Sequence, residues 1–180
     1  MDYTKIVGAN GKRSKNDFYP TPPEVTRALM AFLYDRELLW SGDTVWECAS
    51  GDGDMAAELA KDDLIVCETD ITGGYDFLTC EPPREDIRWI ITNPPFSRAE
   101  EFIKRAQEHG IPFAFLLKSQ YWHSARRLPL FEEIRPAFVL PLTWRPDFTG
   151  QGSSLMDMIW VVWHPCLTET QYIPLRRPGK

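Results

Sequence analysis

Short apolar runs alternate along this chain with stretches whose apolar residues recur at helical spacing, and this alternation restricts the fold more than any other feature. Residues 44–48, 64–67, 87–92, 112–117, 137–142 and 157–163 read as strands, the last closing the series, with 75–78 a short extended piece before the loop 81–86. Thr21 is placed to cap a helix with Pro22 at its first position, and Val25, Leu29, Phe32 and Leu33 give that helix one buried face as far as Asp35. Residues 55–59 begin a second helix. Ser97 with Glu100 forms a capping box for a third, whose inner face carries Phe102, Ile103 and Ala106 and which Gly110 ends; 122–131 reads as a fourth. Strands alternating with helices need crossover connections, which predicts an α/β chain with a mostly parallel, twisted sheet covered on both faces. Such sheets bind ligands beyond the carboxyl ends of their strands. The unusual sequence lies in those places, after Cys48, Cys67 and Thr92.

A chain of 180 residues, 43% hydrophobic, suffices for one packed domain. The opening residues hold Lys5, Lys12, Arg13 and Lys15 among little apolar content, so 1–16 is expected to form a mobile basic arm and 17–180 the domain. No apolar run approaches a membrane span and no charged-then-apolar leader opens the chain, so a cytoplasmic location without membrane attachment is expected. Cys48, Cys67, Cys80 and Cys166 form no Cys-x-x-Cys pair, and His109, His123 and His164 show no ligand spacing. Reduced thiols and no metal are expected.

The net charge of −6 is unevenly spread. Residues 1–34 hold five Lys/Arg against three Asp/Glu, 35–86 three against fifteen, and 87–180 twelve against eight. Basic flanks can meet a phosphate backbone while the acidic middle serves another ligand. An acidic surface that only maintains solubility gives the same totals.

Four constellations carry chemistry. Glu47 to Gly53 follows a strand with the spacing Glu-x-x-x-Gly-x-Gly, and its glycines let backbone approach a ligand closely. This is not the Gly-x-Gly-x-x-Gly of dinucleotide enzymes, and the surrounding acid disfavours phosphate while suiting a cationic ligand. Past the next strand, either Glu68 or Asp70 can accept from ribose hydroxyls. Asp76 and Phe77 can accept from an adenine amino group and flank its ring. The fourth, Asn93-Pro94-Pro95-Phe96, sits at the end of strand 87–92. A nucleobase amino group is a poor nucleophile because its lone pair is delocalised. Acceptors aimed at both N–H bonds, the Asn93 oxygen and the Pro94 carbonyl, would draw the nitrogen towards tetrahedral geometry. The prolines hold those acceptors in advance, and Phe96 offers a face for an extruded base.

With these pieces placed, the sequence resembles the amino-group DNA methyltransferases, especially small phage-type N6-adenine enzymes. Residues 17–25 look like the N-terminal cofactor motif of the γ arrangement, 46–53 like its glycine-rich motif, and Asn93 to Phe96 like its catalytic motif, in that order. Lys118-Ser119 and strand 157–163 resemble its later elements. The resemblance implies a single-domain, Rossmann-like sheet of seven strands, mostly parallel, with strand seven antiparallel. It implies S-adenosylmethionine held by Tyr19, Thr21, Glu47, Ala49, Gly51, Gly53, Asp70, Asp76 and Phe77. It also implies direct transfer to N6 of a flipped-out adenine in DNA, carried by Asn93, Pro94, Pro95 and Phe96, in a bacterial or phage-infected cell. No separate target-recognition domain fits in this length. DNA contacts therefore fall to Lys12, Arg13 and Lys15 and to the segment 119–154, which holds Arg126, Arg127, Arg135 and Arg145 with Tyr121, Trp122 and Trp144.

The same tetrapeptide serves enzymes that methylate guanine N2 in RNA or glutamine in proteins. A catalytically silent homologue that only grips nucleic acid is a further alternative, against which the intact Asn93, Gly51, Gly53 and Asp70 argue. The sequence leaves target site and oligomeric state open.

Overall fold

A computed structural model describes residues 20–148 and 156–179. The basic arm with Lys12, Arg13 and Lys15, and also Tyr19, lies outside the described residues. Seven strands form one sheet: β1 (Thr44–Glu47), β2 (Ile65–Glu68), β3 (Trp89–Thr92), β4 (Phe113–Lys118), β5 (Phe138–Pro141), β6 (Met158–Trp163) and β7 (Gln171–Tyr172), in the order β2-β1-β3-β4-β6-β5-β7. All run one way except β6, which is inserted antiparallel between β4 and β5. The helices are α1 (Pro23–Asp35), α2 (Asp54–Leu59), α3 (Ala99–Glu108) and α4 (Leu128–Glu133).

The strands between β1 and β6 read as continuous apolar runs because both faces of the sheet are covered. On one face Trp89, Ile91, Ala114, Leu116, Trp160 and Val162 pack with Val25, Leu29 and Leu33 of α1 and Met55 and Leu59 of α2. Their strand neighbours Ile90, Phe113, Phe115, Leu117, Val161 and Trp163 pack with Phe102, Ile103 and Ala106 of α3. Trp160 fastens α1 to the sheet, its Nε1 donating to the Val25 carbonyl at 3.0 Å. No helix among the described residues is long and apolar enough to cross a membrane.

Five local expectations are corrected. Thr21 does not cap α1. Pro22 occupies the boundary with ψ 137°, because a residue preceding proline is disfavoured in the helical region and Pro23 follows it. Ser97 does not cap α3 either: a 3-10 turn over Phe96–Arg98, closed by Arg98 N donating to Pro95 O, delays the helix to Ala99. Residues 75–78 are not an extended piece, since Asp76 Oδ1 accepts from Leu78 N and its carbonyl from Thr79 N, a local turn. Residues 122–131 are not one helix. Pro129 is tolerated only in a first turn, so 3-10 turns over Ser119–Trp122 and Ala125–Arg127 precede α4. Finally, 157–163 is not the last strand. Gln171–Tyr172 adds a short, exposed one beside β5, too brief to show alternation, so the antiparallel strand is sixth in chain order rather than seventh.

Candidate active site

The parallel strands β1, β2 and β3 bring three loops to one edge of the sheet. Glu47, the last residue of β1, stands opposite Glu68, the last of β2, and Asn93 follows the end of β3. The loop after β1 is tied to the loop after β2: Thr69 N donates to Glu47 O at 2.9 Å and Ser50 N to Thr69 O at 3.1 Å. Gly51 and Gly53 adopt φ of +54° and +85°, where a side chain would be strained. A Cβ on Gly53 would also meet Glu68 Oε2 at 3.3 Å.

Asp70 braces this loop. Its Oδ2 accepts from Gly51 N at 3.0 Å, and its Oδ1 from Thr72 N at 2.8 Å and Thr72 Oγ1 at 2.7 Å. Burial opposes its charge, but these hydrogen bonds prevail and hold the carboxyl below its usual range. Most of the acceptor capacity of Asp70 is therefore spent inside the protein. Glu68 accepts no hydrogen bond among the described residues and lines an open cavity of about 410 Å³ with Asp52, Gly53 and Asp70. Of the two carboxylates, Glu68 keeps its oxygens available.

A second cavity, about 270 Å³, is lined by Thr21, Glu47, Ala49, Gly51, Asp70, Asn93 and Pro95. It gathers seven of the thirteen expected cofactor and catalytic residues, from four separate segments. Glu47 is 1% exposed; its Oε1 accepts from Thr92 Oγ1 at 2.5 Å, while Oε2 is buried without a partner. Burial pushes this carboxyl up to about 8 against the Thr92 hydrogen bond, with Asp70 and Glu68 adding repulsion. Such a group answers a cation entering the cavity. Asn93 Nδ2 donates to Thr21 Oγ1 at 3.2 Å across 72 positions of sequence. In this arrangement Oδ1, which is buried, is the acceptor end of the amide.

Other expected residues lie elsewhere. Phe77 is 1% exposed and packs against Trp46 and Phe102, within the core beside α3. Asp76 is occupied by its own turn. Pro94 is buried, and Phe96 faces a different cavity with Lys118 Nζ 4.2 Å above its ring. Arg126 pairs with Glu100 at 3.3 Å and Arg145 with Asp157 at 2.7 Å, exposed contacts readily exchanged for other partners. Tyr121 is buried and Trp122 and Trp144 half-buried, so these rings pack inside rather than forming a stacking platform. Ser50, Asp52, Met55, Ile71 and Thr72 also line the second cavity. The sequence offered no signal for Ile71, an apolar side chain left 57% exposed at the cavity edge.

No protein-family model matches the sequence, and no curated protein matches it. The fold matches solved structures. One, from Listeria monocytogenes, is described as a candidate class I S-adenosylmethionine-dependent methyltransferase; it aligns at TM-score 0.64 and 11% identity over 92% of this chain and 68% of that one. A candidate RNA methyltransferase from Pyrococcus horikoshii aligns at TM-score 0.61 and 16% identity over 82% and 85%. A candidate S-adenosyl-L-methionine-dependent methyltransferase from Methanococcus maripaludis aligns at 0.51 and 12% over 87% and 90%. The chain therefore has the Rossmann-like fold of the class I S-adenosylmethionine-dependent methyltransferases.

Proposed function

We propose that the chain is an S-adenosylmethionine-dependent methyltransferase acting on the exocyclic N6 amino group of adenine in DNA. The observation that carries this reading is the Asn93 amide, hydrogen-bonded to Thr21 on the wall of the cavity that also holds Glu47 and the glycine turn. The residues suit the cofactor. An orphaned, buried Glu47 oxygen fits a ligand with ammonium and sulfonium charge, and Glu68 offers two acceptors to a ribose diol. Ile71 gives an adenine ring an apolar surface.

When bound, S-adenosylmethionine supplies a methyl carbon activated by its sulfonium leaving group. Asn93 Oδ1 accepts from one N–H of the target amino group, drawing the nitrogen lone pair out of the ring for in-line attack. Glu47 and Glu68 would hold the cofactor as its methyl carbon is given up and the carbon–sulfur electron pair is kept on sulfur, and the target nitrogen would give its proton to solvent. The prolines cost the loop its freedom before substrate arrives, so little reorganisation remains for the reaction. No cysteine is needed as a nucleophile.

DNA is favoured by the Tyr19-Pro20-Thr21-Pro22 start and by the basic flanks. The test is methyl transfer from radiolabelled S-adenosylmethionine to unmethylated duplex DNA, ribosomal RNA and a protein extract in parallel, with nucleoside analysis of the product. N6-methyladenine in DNA is expected. Label only in RNA or protein replaces the substrate, and cofactor binding with no label in any lane identifies a silent binding module.

A further inference from the structure

The loop Asn93–Phe96 has a cavity on each side. Asn93 and Pro95 face the one described above; Phe96 faces another, about 160 Å³, formed with Lys118, Gln120, Tyr121 and Arg127. The second is cationic, although the chain as a whole is acidic. Lys118, at the carboxyl end of β4, holds its ammonium 4.2 Å above the Phe96 ring. The Arg127 guanidinium lies 4.1 Å above the Tyr121 ring, with one nitrogen donating to the Tyr121 carbonyl at 3.0 Å. Arg127 forms no ion pair among the described residues, and its Nε is buried without a partner. The Tyr121 hydroxyl is also buried without a partner, in a residue only 7% exposed. Burial pushes this phenol up to about 12, so at neutral pH it is a donor. Among the carboxylates near these groups, Glu100 is already answered by Lys104 at 3.1 Å and Arg126 at 3.3 Å.

Unsatisfied donors that are buried cost stability unless a ligand completes them. Here Arg127 Nε and the Tyr121 hydroxyl are such donors, and both belong to residues lining the cavity. Two cations and a neutral donor around so small a space match a tetrahedral oxyanion. Resting on the proposed function, we infer that this cavity is a phosphate subsite, in which Lys118, Arg127 and the Tyr121 hydroxyl hold the phosphate attached to the target nucleotide. Placed beside the catalytic loop, it anchors a nucleotide while the base reaches Asn93. Drawing the ammonium to phosphate also uncovers the face of Phe96 that Lys118 occupies. A glutamine side chain in a protein carries nothing that such a site recognises.

The full chain is titrated by NMR with 5′-dAMP, deoxyadenosine and inorganic phosphate. The wild type is expected to bind dAMP about tenfold tighter than deoxyadenosine, the scale of one charge-assisted hydrogen bond, and tighter than inorganic phosphate. Lys118→Gln and Arg127→Gln should each reduce that ratio severalfold, whereas Arg36→Gln, at the end of α1, should leave it unchanged. Tyr121→Phe should lower the ratio without lowering the melting temperature, which a purely structural hydroxyl would not do. Equal affinity for dAMP and deoxyadenosine in the wild type overturns the inference. So does a ratio unmoved by Lys118→Gln and Arg127→Gln, or inorganic phosphate binding as tightly as dAMP. Because the readout is binding, the two readings fail separately. Methyl label in protein overturns the proposed function, while label in DNA without phosphate preference overturns the subsite alone.

Discussion

Replacing Glu47 by Gln probes the electrostatic basis of cofactor recognition. Glu47 is buried with one oxygen unpartnered, and burial pushes its carboxyl from an ordinary 4.5 up to about 8. At about 1.4 kcal/mol per pKa unit, its charged form is disfavoured in the folded chain by roughly 5 kcal/mol. The folded chain holds this proton more tightly than the unfolded chain does. The stability contributed by the neutral acid is therefore complete below pH 4.5 and is lost as the pH rises through about 8. At pH 7 about nine-tenths of the free protein carries the proton. A cationic ligand in the cavity favours the carboxylate, so its binding expels close to that fraction of a proton, and its affinity climbs with pH up to about 8. Isothermal titration with S-adenosylmethionine, in buffers of different ionisation enthalpy, counts the proton. The wild type should release roughly 0.9 proton at pH 7 and little at pH 9; Glu47→Gln should release none at either pH and should unfold with a flatter pH dependence between 5 and 8. Equal proton release by the two proteins, or none by the wild type at pH 7, refutes Glu47 as the counter-charge.

Asn93→Ala should bind S-adenosylmethionine normally but lose on the order of 10²-fold or more in kcat; unchanged single-turnover rates would remove Asn93 from the chemistry. Thr21→Val removes the hydroxyl that holds the Asn93 amide in place at 3.2 Å, and should lower kcat by about tenfold with KM for the methyl acceptor nearly unchanged. Trp160→Phe leaves the buried Val25 carbonyl without its 3.0 Å donor and opens space between α1 and the sheet. Urea unfolding should report a loss of about 2–4 kcal/mol. Neutralising Lys12, Arg13 and Lys15 should weaken DNA binding and reduce the slope of log K against log salt by about two to three; an unaltered slope would make the arm a passive tail.

Much of the architecture was legible locally. Apolar runs and helical spacing located β1, β3, β4 and β6 to within two residues, because a strand buried on both faces must be apolar throughout. Asn93-Pro94-Pro95 announced a rigid turn at a strand's carboxyl end because proline restricts itself and its predecessor whatever the tertiary context. The same rule, applied fully, moves the start of α1 to Pro23. The turn at Asp76 and the strand at Gln171–Tyr172 were not legible. A side chain bonding its own neighbours and a strand of two polar residues leave no periodic signal.

What the sequence determined, then, is the set of local conformations and the chemical types gathered at the strand ends. Only the tertiary structure decided which groups meet. Glu68 and Asp70 are equivalent carboxylates until folding ties Asp70 to Gly51 and Thr72 and leaves Glu68 available. Phe77 reads as a cofactor contact until packing draws it into the core. Thr21 reads as a helix cap until α1, held by Trp160, sets its hydroxyl on Asn93. The reason is range: steric and hydrogen-bonding rules act over a few residues. Pairings across tens of residues are settled by how apolar faces pack on a shared sheet, and no short window of sequence contains that.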